Sequence, residues 1–250
     1  MTDTTLFISD LHLDAARPAI TELFLEFLRA EAPQAQALYI LGDLFEAWIG
    51  DDDPAPDHQT VIAALHELNA QGVALNFMHG NRDFLIGADF AAHSGCTLLT
   101  DPTLIDLYGT PTLLMHGDTL CTDDIDYQNF RRMVRDPHWQ RDFLAKPLTV
   151  RRQIAQAARA ESAAHIAGTA YEIMDASPAA VMATLRTHQV TQLIHGHTHR
   201  PAVHDCELDG LPARRIVLGD WYEQGSVLRC DTDGCRLDSL PAQGAYRAPL

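Results

Sequence analysis

Seven side chains able to hold a metal ion stand in five short clusters along the chain. Asp10-Leu11-His12 places a carboxylate and an imidazole two residues apart, a spacing at which both can take adjacent positions on one cation. Gly42-Asp43, Gly80-Asn81-Arg82-Asp83, His116-Gly117-Asp118 and Gly196-His197-Thr198-His199 follow in order. Their glycines let the backbone approach closely or adopt positive φ, as a side chain aimed into a crowded pocket requires. A lone Asp or His is more often a turn carboxylate or a surface imidazole. Two aspartates, one asparagine and four histidines together make a mixed oxygen and nitrogen set for two divalent ions that share a carboxylate. The set contains no thiolate and suits Mn²⁺ better than a structural zinc. Two such ions make hydroxide available from water near neutral pH and offset the charge of a phosphoryl group attacked in line.

Each cluster follows a short apolar run, as buried strands do: Leu6 to Ser9, Leu38 to Leu41, Val73 to Met78, Thr112 to Met115, and Leu193-Ile194. Between them, Ile20, Leu23, Phe24, Phe27 and Leu28 form one helical face, and Val61, Ile62, Leu65 and Leu68 another. Alternating strands and helices predict an α/β fold whose reactive groups gather at the carboxyl ends of the strands. Beyond His199, Ala202 to His204, Arg215 to Leu218, Ser226 to Cys230 and Cys235 to Leu240 read as strands, with turns at Asp209-Gly210 and Asp233-Gly234. They predict a β-meander closing a second sheet.

The 250 residues, 46% hydrophobic and 21% charged, suit one globular domain spanning 1–250. No apolar run reaches a bilayer-crossing length, and the start lacks a secretory leader, so a cytoplasmic location is expected. Five cysteines without a C-x-x-C pair are expected as reduced thiols. A formal charge of −16 argues against nucleic acid as a partner. The charge is uneven: Arg131 to Arg159 holds eight basic residues against Asp136 and Asp142. This basic stretch lies in an Ala- and Arg-rich segment, about 122–187, that reads as several helices inserted between two strands.

The ordered set D-x-H, G-D, G-N, H and G-H-x-H resembles the calcineurin-like metallophosphoesterases over most of the chain. The resemblance implies a four-layered α/β/β/α sandwich with an inserted helical cap. It places one metal on Asp10, His12, Asp43 and His199, and the other on Asp43, Asn81, His116 and His197, with Asp43 bridging. Asp43, Asn81, Arg82 and His116 would form the catalytic group. Most of that family has histidine after the G-N pair, where it resembles a general acid for an alkoxide leaving group; this chain has Arg82. Arginine cannot give up a proton at neutral pH, but it can stabilise a leaving group that departs as an anion. Pyrophosphate cleavage is therefore favoured over monoester hydrolysis. Asp83 is expected to fix the Arg82 guanidinium as a bidentate pair. His195, Asp118 and His79 are expected to orient metal-bound histidines.

Longer stretches, Tyr39 to Asp51, His79 to Phe84, Met115 to Asp124 and Leu193 to Pro201, resemble the lipid-nucleotide pyrophosphatases of lipid A biosynthesis. That implies UDP-2,3-diacylglucosamine as substrate, attack on its α-phosphorus, and release of UMP and 2,3-diacylglucosamine 1-phosphate. It also implies peripheral attachment to the anionic cytoplasmic face of the inner membrane, with no obligate protein partner. The implied substrate contacts are Asn81, Arg82, Asp124, Ser162 and His197, with Arg151 and Arg159 near the phosphates or the insert. Ile166 and Thr169 stand where the family has asparagine and lysine. Phe130, Met133, Val134, Trp139, Phe143, Leu144 and Ile154 suit either an acyl-chain cleft or ordinary helix packing. A broader phosphodiesterase acting on soluble nucleotides, and a non-catalytic metal-bound scaffold, are the competing readings.

Overall fold

Successive side chains of a strand point to opposite faces, so the apolar runs decide the layers. Leu6, Ile8, Leu38 and Ile40 pack into one buried cluster, while Phe7, Leu41 and Met78 pack into another. Leu114 and Ile194 join the second cluster from the far side, and Leu113, Met115 and Leu193 enter a third.

The structure, a computed structural model, describes residues 3–53, 55–168 and 173–241, apart from the side chains of 56 and 163–168. In chain order the elements are β1 (Thr5–Ile8), α1 (Pro18–Ala30), β2 (Ala37–Ile40), α2 (Pro56–Ala70), β3 (Ala74–Met78), α3 (Ala88–Ser94), β4 (Cys96–Leu99), β5 (Thr103–Leu107) and β6 (Thr110–Met115). Then come α4 (Ile125–Val134), α5 (Pro137–Leu144), α6 (Leu148–Gly168), α7 (Pro178–His188), β7 (Gln192–His195), β8 (Ala202–Leu208), β9 (Leu211–Val217), β10 (Gly225–Asp231) and β11 (Gly234–Leu240).

One sheet has the order β11-β10-β1-β2-β3-β4 and the other β5-β6-β7-β9-β8. Within them β1 to β4 run parallel, as do β6, β7 and β9. The second cluster lies between the sheets. Helix α1 buries Ile20, Leu23, Phe24, Phe27 and Leu28 on the outer face of the first sheet, the face anticipated from its 3.6-residue period. Helix α7 buries Val181 and Leu185 against the second sheet. The layers are thus α/β/β/α, as the resemblance implied.

The expected meander is instead two hairpins on different sheets. β8 pairs with β9 in the second sheet, and β10 pairs with β11 in the first. The chain changes sheets at Gly219 to Gln224, and strand periodicity alone does not say which partner a strand chooses. Cys230 and Cys235, expected as free thiols, are joined as a disulfide. Counting cysteines misses this pair because it is created by register: the Asp231–Gly234 turn sets the two residues directly opposite.

Helices α4 to α6 interpose between β6 and β7. Arg151 of α6 is buried, and its guanidinium donates to Ile49 O, to Lys146 O and to both carboxylate oxygens of Asp52. Arg152 pairs with Asp53. The inserted helices are therefore clamped to the segment that follows β2.

Trp221 ties a core wall to the ligand-bearing edge. It is fully buried, edge-on to Phe24 and Phe27 at 5.8 and 5.9 Å, and its backbone N–H donates to Asp10 O. Trp221→Ala should lower unfolding free energy by about 3–5 kcal/mol in urea titrations. Leu211→Ala, at an exposed position, should change it by no more than about 0.5 kcal/mol.

Candidate metal centre

Each candidate ligand follows the carboxyl end of a strand with a parallel neighbour: Asp10 and His12 after β1, Asp43 after β2, Asn81 after β3, His116 after β6, His197 and His199 after β7. The facing sheets thus deliver all seven residues to one edge. Asp10, His12, Asp43, His197 and His199 adopt left-handed φ between 49° and 67°. Such backbone costs about 1 kcal/mol or more per residue and persists only where surroundings impose it. Here Asp10 N–H donates to Gly42 O, His12 N–H to Asp43 O, and His197 N–H to Asp10 Oδ2, at 2.9–3.0 Å. Gly42 has φ +91°, and a Cβ there would stand 2.6 Å from the Gly80 backbone and from His116 Nδ1. One on Gly80 would meet Asp43 Oδ1 at 2.1 Å.

Two groups of donor atoms result. Asp10, His12 and His199 bring one atom each within 4.8 Å of one another, and so do Asp43, His116 and His197. Asn81 Oδ1 lies 3.0 Å from His116 Nε2 and 2.9 Å from His197 Nδ1, so it belongs to the second group. Asp43 Oδ2 is 3.8 Å from both His12 Nε2 and His116 Nε2, midway between the groups. This donor set fits a pair of divalent ions: hard oxygens and imidazoles converge, and the buried Asp10 Oδ1 has no hydrogen-bond partner among the described residues, with His199 Nε2 at 3.4 Å.

The electrostatics agree with that fit. Burial works against an imidazolium at His116, yet the carboxylates of Asp43, Asp118 and Asp10 raise its pKa to about 9. A cation at this position would take the place of that proton. Burial and the charge of His116 depress His197 to about 4. At Asp10, burial opposes ionisation, but His199 outweighs it and holds the carboxyl far below the usual range. His116 Nδ1–H donates to Leu41 O at 2.8 Å, so the proton a cation would replace is the one on Nε2, the atom facing the site.

The remaining sequence candidates divide sharply. Arg82 sits beside the ligands, its N–H donating to Asp43 Oδ1 at 2.8 Å, and its buried Nε has no hydrogen-bond partner among the described residues. Asp83 does not pair with it. The Asp83 carboxylate accepts backbone N–H groups from Gly80, Leu44 and Asp43 at 2.8, 2.7 and 3.3 Å, because it is buried under the loops, facing away from the guanidinium. Burial and the charge of Asp43 push it up to about 7.

His195, expected to orient a neighbouring histidine, donates from Nδ1 to Gly196 O and accepts at Nε2 from Arg215. Burial and that arginine hold it down to about 3, so it supports the loop as a neutral ring. His79 Nε2 bonds to Ile86 O, and Asp118 accepts from Tyr127 and Arg131. Neither makes a hydrogen bond to a candidate ligand ring.

Asp124 caps α4, accepting from Tyr127 N–H. Arg159 stands 3.6 Å from Asp14 and 4.0 Å from Glu46, facing the first group. Ser162 is half-buried on α6. Arg151, expected near the phosphates or the insert, lies on α6 of the insert with its guanidinium engaged by Asp52 and two carbonyls. The Ile166 side chain and Thr169 lie outside the described residues. Of the apolar insert residues, Val134 and Phe143 are buried, and Trp139 stacks on Phe143 at 5.0 Å. Phe130, Met133, Leu144 and Ile154 are exposed.

Several supporting residues escaped the sequence reading. Glu46 Oε2 lies 3.1 Å from His12 Nδ1, and Asp220 Oδ2 lies 3.5 Å from His199 Nδ1. Tyr222 stacks on His12 at 5.4 Å, with Arg17 4.7 Å from its ring centre. A signal for Asp220 was present: Val217-Leu218-Gly219-Asp220 repeats the pattern of Ile40-Leu41-Gly42-Asp43, and β9 parallels β7.

Residues 4–201 match the family model described as calcineurin-like phosphoesterase. A UDP-2,3-diacylglucosamine hydrolase of Xanthomonas axonopodis pv. citri (strain 306) is 59% identical over 244 residues, covering 95% of this chain and 99% of that protein. A protein of the same name from Stenotrophomonas maltophilia (strain R551-3) is 56% identical, covering 95% and 98%. With its ligand-bearing loops at one edge of an α/β/β/α sandwich, the chain belongs to the calcineurin-like phosphoesterase family.

Proposed function

We propose that this chain hydrolyses the diphosphate bond of UDP-2,3-diacylglucosamine, a step of lipid A biosynthesis, giving UMP and 2,3-diacylglucosamine 1-phosphate. One observation carries the reading: seven donors meet in two groups joined at Asp43, with Arg82 beside them, in a chain 59% identical to a protein named for that hydrolysis. Asp10, His12, Asp43 and His199 would hold one cation; Asp43, Asn81, His116 and His197 would hold the other. Bound there, a pair of divalent ions, for which Mn²⁺ suits the donor set, supplies Lewis acidity toward water and the phosphoryl oxygens.

The chain's residues supply the rest. Asn81 contributes a neutral carbonyl oxygen, so the second position carries less negative charge than an all-carboxylate site. Glu46 and Asp220, beside the Nδ1 atoms of His12 and His199, keep the Nε2 lone pairs of both rings directed inward. As water oxygen bonds to the α-phosphorus, the bridging oxygen departs with the distal phosphate, and the partly exposed Arg82 guanidinium stabilises it. Arg82 gives up no proton, and none is needed for a leaving phosphate. Asp124, Ser162, His197 and Arg159 would contact the substrate, and Arg151 stiffens the α6 side through Asp52.

The insert of about 122–187 serves as the cap of a single domain. Between α6 and the segments Leu13–Ala15 and Ala47–Ile49 lies a groove of about 240 Å³, lined in part by Ala155 and Arg159. Typical ligand pockets measure about 300–1,000 Å³, so two acyl chains also need the outer apolar side chains Phe130, Met133, Leu144 and Ile154. Those side chains, interspersed with exposed Arg132, Arg141 and Lys146, also suit an anionic inner-membrane surface. No helix among the described residues is long and apolar enough to cross a membrane.

Mass spectrometry of products formed in ¹⁸O-water from UDP-2,3-diacylglucosamine by the Mn²⁺-loaded protein should find the label in UMP. Label in the lipid product reverses the attack site, and no cleavage overturns the function. Arg82→Ala should lower kcat by about 10²–10³-fold, the loss typical of one donor to a developing anion, with partial recovery in Arg82→Lys. In metal-free protein His116 titrates at about 9, and a ligand imidazole must be neutral. Mn²⁺ binding at pH 7.5 should therefore release at least one proton, measured by calorimetry in buffers of different ionisation enthalpy. Affinity should rise by up to about tenfold per pH unit and level off near pH 9.

A further inference from the structure

The two halves of the donor set are braced by different parts of the chain. Around Asp10, His12 and His199 the direct neighbours are Ser9, Glu46, Asp220 and Tyr222, on loops of the sandwich, with Arg159 of α6 standing 4.0 Å behind Glu46. Around Asn81, His116 and His197 the bracing comes from helix α4 of the insert. Arg135 Nη2 donates to Gly80 O at 2.8 Å, fixing the carbonyl just before Asn81. Arg131 Nε and the Tyr127 hydroxyl both donate to Asp118 Oδ2, at 2.7 and 2.8 Å, two residues beyond His116. Gln128 donates to Asp118 O and Cys121 O, and the Tyr127 ring lies 5.7 Å from the His197 ring.

From this division we infer that α4, through Arg135 and the Arg131–Tyr127–Asp118 network, is a positioning element for one cation only. It sets the affinity of the Asn81–His116–His197 position and leaves the Asp10–His12–His199 position to the sandwich and to Arg159 of α6. The inference rests on the two-cation reading above. Its physical basis is the leverage of groups that orient ligands: losing one typically costs about 10–100-fold in metal affinity. Asn81 depends on such support because its loop is held on both sides, by Asp83 at Gly80 N–H and by Arg135 at Gly80 O. A ligand or surface that displaces α4 alone acts on one ion and spares the other.

The test is an Mn²⁺ titration of the metal-stripped full chain followed by electron paramagnetic resonance. Free Mn²⁺ gives the binding isotherm, and magnetic coupling between neighbouring ions marks the filling of both positions. Arg135→Ala should weaken the second ion by about 10–100-fold while the first stays within about twofold, with the coupled signal moving to higher Mn²⁺. Arg135→Lys, which keeps a donor for Gly80 O, should recover part of the loss. Tyr127→Phe removes one hydroxyl and little volume, and should shift the same ion by less. Arg132→Ala, on the exposed side of the same helix, should change neither. Equal weakening of both ions, or two unchanged affinities in both Arg135→Ala and Tyr127→Phe, overturns the inference. A wild-type chain that never shows a coupled pair overturns the two-cation reading, and the inference with it.

Discussion

Four carboxyl groups, Asp10, Asp43, Asp83 and Asp118, are buried together in loops at one edge of the sandwich. An unpaired buried carboxylate is unfavourable by several kcal/mol, so this edge exists only if the surrounding chain supplies positive charge or aligned donors to each of them. Asp83 takes three backbone N–H groups, and Asp118 takes an arginine and a phenol. Asp10 takes a hydroxyl, a backbone N–H and a neighbouring imidazole. Asp43 takes one N–H and faces two histidines. The residual negative field keeps a proton on His116 up to about 9. Parallel strands meet this demand because their carboxyl-end loops present N–H groups to one another across the edge.

The same demand explains the position of the inserted helices. A basic segment in an acidic chain is electrostatically placed beside the carboxylates, and Arg131 and Arg135 reach the loops that hold them. Arg151 and Arg152 do the corresponding work at Asp52 and Asp53. Several arginines that could have served a substrate's phosphates are thus part of the frame. Arg82 differs: its backbone is fixed, while a buried donor on its side chain has no acceptor among the described residues.

The fold and the donor set were legible in the sequence because both depend on local pattern. Apolar alternation set the layers, and five strands, β1, β2, β3, β6 and β7, each led into a residue of a type that binds cations. What stayed hidden depends on register and on distance. The Cys230–Cys235 pair needs the hairpin's pairing, and the separation of β8–β9 from β10–β11 needs knowledge of which sheet edge is open. Asp83 was misassigned because adjacency to Arg82 suggested a pair, whereas consecutive residues in a loop point to different sides. Glu46 and Tyr222 reach His12 from 34 residues and more away, through contacts that no spacing rule encodes.

The left-handed backbone at Asp10, His12, Asp43, His197 and His199 restricts which amino acids can serve there. Asn, Asp and His are the non-glycine residues enriched several-fold in that conformation. Glutamate and cysteine can bind cations equally well, but at these five positions they meet a conformational penalty before any metal chemistry begins. The choice of aspartate over glutamate, and of imidazole over thiolate, is thus made partly by φ. The ligand alphabet of this edge is narrower than coordination chemistry alone would allow, and a redesign of metal preference would have to rebuild the loops before changing the side chains.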